Sequence, residues 1–298
     1  MTTTSQTRTA GARAPARRSP AGPWARWWGL VGHVRDEADA ESDAYRAVTP
    51  ARVADRRVAV VLVTAALCLT AANFLGASAR SGWVASLLDA VGLDALAGRF
   101  THAMETSSAA QLNRRVFWGV GQVVCYLVVP LLVIRLVLRE RPRELGLRLR
   151  GGLSGGGTYL VLLALVLPLV VVASFTEAFQ AKYPFYLPPA GESLWPRFWA
   201  WEALYALQFL ALEFFFRGFL VHGLRLRLGY AAVLVMLVPY NMLHFGKPMA
   251  EALAAIAGGW VLGTLSLKTR AIWWGVALHV VVATSMDSLS LWHHGVLG

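Results

Sequence analysis

Between residues 58 and 290 the chain breaks into apolar runs separated by short basic links, and this segmentation constrains its fold more than any other feature. The runs fall at roughly 58–79, 115–138, 157–175, 195–222, 230–246, 250–267 and 271–290. Each is near the ~20 residues that a helix needs to cross a ~30 Å hydrocarbon layer. In lipid only helices and closed barrels satisfy every backbone group, and runs of this length predict helices. The expected fold is therefore all-α, a polytopic transmembrane bundle of about seven spans. Composition agrees: 56% of residues are hydrophobic and 15% charged, against about 25% charged in an ordinary soluble domain.

The net charge of +11 could signal nucleic acid, but that function needs a basic stripe on a folded surface. Here arginines crowd the N-terminal region and the links, as topology signals do, and no nucleic-acid partner is expected. By the bias of Lys and Arg toward cytoplasmic loops, Arg139–Arg150, Arg225 with Arg227, and Lys268 with Arg270 lie inside. This puts the N-terminus in the cytoplasm and the C-terminus outside, in a multi-pass protein of the plasma (inner) membrane. Three regions follow: a largely disordered basic cytoplasmic tail over 1–57, two spans with an outer loop over 58–142, and a membrane core over 143–298. Trp24, Trp27 and Trp28 beside Arg26 form a patch suited to the bilayer interface. Residues 83–100 read as an interfacial helix. Cys68 and Cys125 fall inside apolar runs and read as small buried hydrophobes. Gly259 and Gly263 make a Gly-x-x-x-Gly face for close helix contact.

Ionisable residues within apolar runs mark functional sites, because lipid penalises them. Glu213 and Arg217 stand one helical turn apart in Leu-Glu-Phe-Phe-Phe-Arg-Gly, and single histidines, His244 and His279, lie on two later runs. At 1.5 Å per residue, Glu213 is about 18 Å above Arg225, His244 about 21 Å above Tyr230, and His279 about 14 Å above Arg270. The three share a depth within about 7 Å and predict a polar site inside the membrane. A glutamate and two histidines suit two chemistries. They can hold zinc as a His₂Glu set, or act metal-free, with carboxylate and imidazole activating water and another imidazole stabilising an oxyanion. A third reading makes Glu213 and Arg217 a buried ion pair that only orients its helix. The His-Glu-x-x-His helix of common zinc proteases is absent.

At these residues the chain resembles the CAAX prenyl protease-like intramembrane endopeptidases, also called the CPBP or Abi family. That family carries Glu-Glu-x-x-x-Arg on one helix, Phe-x-x-x-His on the next and His-x-x-x-Asn on a later one. The matching stretches here are Leu212-Glu213-Phe-Phe-Phe-Arg217, Tyr240-Asn-Met-Leu-His244 and His279-Val-Val-Val-Ala283, and Arg143-Glu-Leu-Gly-Leu-Arg148 resembles the link that often precedes the family core. The resemblance spans roughly residues 143–290. It implies glutamate-dependent hydrolysis of a peptide bond in a membrane-associated protein, with Glu213, Arg217, His244 and His279 at the site. Two positions depart: Leu212 stands where the family has its first glutamate, and Ala283 where it has asparagine. Asn241 and Asp287 are the nearest polar groups that could substitute. The resemblance equally accommodates a catalytically inactive member acting as a membrane scaffold or regulator, and a lone internal polar site also suits a small transporter.

Overall fold

A computed structural model describes residues 22–77, 80–149 and 155–297. Among them there is no strand, only one isolated antiparallel bridge, Leu147 with Ala271. Six helices are long and apolar enough to cross a membrane: α2 (Ala51–Phe74), α5 (Ala110–Leu138), α6 (Gly156–Ser174), α7 (Arg197–Leu228), α9 (Met249–Thr269) and α10 (Trp273–His293). The chain is thus an all-α, multi-pass membrane bundle. The numbering includes α1 (Pro23–Val48), α3 (Gly82–Ala90), α4 (Asp94–Glu105) and α8 (Ala231–Met242).

The seventh expected span is shorter than the sequence suggests. The apolar run 230–246 folds as α8, which carries Pro239 internally and stops at Met242. Its 12 residues reach only about 18 Å, well short of a ~30 Å core. His244 consequently sits in the turn beyond α8 rather than on a helix.

The tail expectation also changes. Residues 1–21 lie outside the described residues, but residues 23–48 form a helix docked on the core. Val31, Val34 and Ala38 are buried, and Trp27 meets Trp260 edge-on at 5.7 Å. The acids of this helix reach the basic links. Glu41 pairs with Arg225, and with Arg270 at 2.6 Å, while Asp39 Oδ1 accepts the Tyr230 backbone N–H at 2.8 Å. Gly229 lies against Asp39, where a Cβ would stand 2.1 Å from Oδ1. A mixed-charge sequence orders itself here because its partners are fixed elsewhere in the fold. Nearby, Arg227 pairs with Asp55 at 2.8 Å and Arg57 with Glu140. With Ile272 N–H bonded to Gly146 O at 3.1 Å, the three basic links expected on one side gather at one end of the bundle. In the outer loop, the single expected helix over 83–100 is replaced by two, α3 and α4.

The centre is α7. It packs on α5 and α10 through its first half, and on α2, α8 and α9 through its second. Phe214–His222 is π-helical, and Phe214, Phe215, Phe216 and Phe219 are fully buried. Such widened turns within α-helices are often found at functional sites. The Gly-x-x-x-Gly face of α9 closes on α8: a Cβ at Gly259 would lie 2.7 Å from Leu237, and one at Gly263 2.7 Å from Val233. That approach carries the α8 backbone, and the turn bearing His244, up against the centre. Cys68 and Cys125 are both free and buried.

Candidate active site

Glu213 ends the α-helical half of α7 and points into protein; its side chain is 1% exposed. One helical turn on, Arg217 Nη1 stands 2.9 Å from Glu213 Oε1, and from α10 His279 Nδ1 reaches the same oxygen at 2.8 Å. These are charge contacts at hydrogen-bond distance whose angles fall outside hydrogen-bond geometry. The other carboxylate oxygen faces Gly275, where a Cβ would lie 2.5 Å away. Glycine there is what admits the carboxylate.

Tyr240 of α8 completes a circuit. The Arg217 guanidinium lies over its ring with Cζ 4.0 Å from the centroid, a cation–π contact, and the Tyr240 hydroxyl is 3.4 Å from His279 Nε2. Phe209, one turn before Glu213, stacks on the His279 ring at 5.6 Å and 7° between planes. The imidazole is therefore fixed by a carboxylate on one edge, a phenol on the other and an aromatic face.

Phe209, Tyr240 and His279 border a cavity of about 1180 Å³ lined by α2, α5, α6, α7, α8, α9, α10 and the loop over residues 175–196. Its wall is mostly apolar. His244, His279, Tyr240, Gln208, Lys247 and Glu251 are polar groups on it. His244 Nδ1 lies 3.2 Å from the Tyr240 carbonyl oxygen. A carbonyl only accepts, so Nδ1 carries the proton and the neutral ring keeps its lone pair on Nε2.

The residues singled out from sequence thus divide. Glu213, Arg217 and His279 meet in one buried cluster; His244 and His279 both line the cavity; Glu213 and Arg217 do not. Leu212 does, and Ala283 lies on the same wall. Asn241 is absent from that wall, and its Oδ1 is buried with no hydrogen-bond partner. Asp287 is buried beside Glu202, Trp201 and Arg115, also away from the cavity. Among the described residues, no three His, Cys, Asp or Glu side chains come together as a group able to hold a metal ion, so Glu213, His244 and His279 do not form a zinc cage. Of the other histidines, buried His222 meets Ser266 Oγ at 3.1 Å, and half-buried His293, at the end of α10, meets Ser174 Oγ at 3.1 Å.

Lys247 and Glu251 are the cavity residues that the sequence reading passes over. An i, i+4 pair beside a span end reads as a solvated boundary, although its nearness to His244 was a usable signal.

Comparison with known proteins bears on the same helices. Residues 193–285 match the family model for type II CAAX prenyl endopeptidase Rce1-like proteins, a segment containing Glu213, Arg217, His244 and His279. No curated protein and no solved structure matches the chain. The family match, over the helices that build the site, supports a CAAX protease-like family.

Proposed function

We propose that the chain hydrolyses a peptide bond of a membrane-associated protein in the cavity bordered by His244 and His279. The observation that carries this reading is the pair of oriented imidazoles on one largely apolar wall, each with its Nδ1 edge engaged. His244 Nε2 accepts a hydrogen bond from the attacking water, which its lone pair allows. His279, whose Nδ1 lies against Glu213, stabilises from its Nε2 edge the oxygen that becomes negative. Glu213 acts through His279 as a positioning residue, and Arg217 holds that carboxylate in place. The reaction needs no metal in this reading. The basic end of the bundle faces the cytoplasm, and the host membrane is the plasma (inner) membrane.

The test uses the full chain purified in detergent with membrane-anchored fluorogenic peptides. Replacing an acid–base group costs 10²–10⁴-fold, so His244→Ala should lose at least about 100-fold in kcat/KM. Glu213→Gln should also lose activity, since it removes the anion that holds the His279 ring. A chelator should leave the rate unchanged. Cleavage that persists at full rate in both variants would sink the assignment to this site.

One observation favours a second reading, an inactive member that binds a membrane segment as scaffold or regulator. Leu212, apolar, occupies the cavity wall where the family's first glutamate would stand. Absence of any cleavage by the native chain, with retained binding of the anchored peptides, would select it.

A further inference from the structure

The reading above leaves position 212 without a carboxylate, yet the cavity has one. Among the described residues, Glu251 is the only acidic side chain on its wall, and Lys247 the only lysine or arginine. Lys247 lies in the turn that bears His244 and Glu251 in the first turn of α9, and the Lys247 backbone N–H bonds to the His244 carbonyl at 3.0 Å. His244, Lys247 and Glu251 therefore occupy one continuous strip of the wall.

Glu251 is held without being used up. Lys247 Nζ contacts Oε1 at 2.5 Å, and the Tyr183 hydroxyl, from the loop over the cavity, lies 3.2 Å from Oε1 and 3.1 Å from Oε2. Burial, together with the neighbouring Glu251 charge, raises the Tyr183 phenol above its ordinary value, so it remains a donor. A carboxylate offers about four acceptor positions, and these contacts leave capacity on Oε2. Its side chain is 27% exposed, in contrast to the 1% of Glu213.

We propose that Glu251 is the catalytic carboxylate of the cavity, taking the proton of the water that His244 orients and so supplying the function for which position 212 has no group. This rests on the peptidase reading. The water oxygen bonds to the carbonyl carbon as one water proton passes to Glu251 and the carbonyl π pair moves to the oxygen facing His279. Collapse of that intermediate restores the carbonyl and breaks the C–N bond. The proton on Glu251 passes to the departing nitrogen, which regenerates the carboxylate and releases acid and amine.

The experiment compares the native full chain with Glu251→Gln, Glu251→Asp and Lys247→Met, in detergent, on a quenched fluorogenic peptide carried on an apolar membrane anchor. Glu251→Gln keeps the size but cannot accept the proton, and kcat should fall at least about 100-fold. Glu251→Asp should recover part of that loss, which a purely structural role for the charge at that exact length does not predict. Lys247→Met leaves the carboxylate on the wall and should lose far less kcat than Glu251→Gln, because the lysine takes no proton. Should Glu251→Gln fail to fold, Glu251→Asp decides alone, since a base of shorter reach should be slower than the native chain. A native chain that cleaves, with Glu251→Gln or Glu251→Asp equally fast, overturns this proposal and leaves the peptidase reading standing. A native chain that cleaves no anchored peptide overturns both.

Discussion

The most apolar span of this protein is its least buried, and the helix that builds the site is among the less apolar ones. α6 has a mean hydropathy of 2.4 over its most apolar window with 11% of that window buried, whereas α7 has 1.5 with 67% buried. In water the ranking would be reversed, because burial is what apolar surface seeks. In lipid the solvent is as apolar as leucine, and polar groups, close packing and small residues draw helices inward. Glu213, Arg217, Gln208 and His222 lie on α7 and are all buried, while Leu160, Val161, Leu165 and Val172 of α6 stand exposed. Within this bundle, hydropathy locates what meets lipid, and polarity locates the centre.

The sharpest way to break this contrast is to leave a charge alone in α7. Arg217→Met strands Glu213 with only His279 beside it, and removing one partner of a buried pair costs about 3–5 kcal/mol. A large fall in the unfolding midpoint in detergent is expected, and Glu213→Gln added to Arg217→Met should recover much of it, because no uncompensated charge remains. A single variant as stable as the native chain would mean that the pair contributes nothing to the centre. Next in size is Gly275→Ala, whose methyl must displace the Glu213 carboxylate or push α10 outward. Overpacking of this kind costs about 1–3 kcal/mol. His279 moves with the carboxylate it contacts, so activity should fall further than stability, measured as cleavage rate against unfolding midpoint.

How much of this was readable beforehand depends on which coordinate of a helix is asked for. Depth along the axis follows from counting residues, so the approach of Glu213 to His279 could be foreseen. Azimuth could not. Adjacent residues differ by about 100°, and nothing in Leu-Glu-Phe-Phe-Phe-Arg says which face meets the cavity. The structure gives that face to Leu212 and turns Glu213 to Arg217. The length of α8 was hidden because its apolar run continues past Met242, while Pro239 and the turn at 243–246 end the helix. The docking of α1 was hidden for a different reason: Glu41 and Asp39 meet groups at residues 225–230 and 270, and no local pattern encodes that distance.

That helix supplies a smaller effect, at the edge of the contrast. Burial raises the Glu41 carboxyl, but hydrogen bonds and charges from Arg225 and Arg270 outweigh it and hold the group below its ordinary value of 4.5. A carboxyl depressed in the folded state adds stability that is present above the unfolded value and lost as pH falls through the folded one. The contribution should therefore be full at neutral pH and fade as the medium is acidified below 4.5. Glu41→Gln should lower stability at pH 7 by at most about 1 kcal/mol, since the pair is partly exposed, and the difference from the native chain should vanish in acid. An equal gap at both pH values would assign the effect to packing instead of charge.

The smallest effect should come from the lipid face of α6, and it is the control for the whole contrast. Leu165 is 62% exposed within the protein and does not line the cavity. Leu165→Ala removes side-chain atoms that meet only lipid or detergent, so no cavity forms inside the bundle and no partner is lost. Exposed substitutions away from packed features stay within about 0.5 kcal/mol, and the unfolding midpoint should hardly move. The same truncation at Leu220 of α7, 1% exposed, leaves a void in a close-packed centre and should cost about 2–5 kcal/mol. Equal losses at the two leucines would mean that α6 also packs against something, such as a second copy or a bound segment, and that its exposure here belongs to the isolated chain alone.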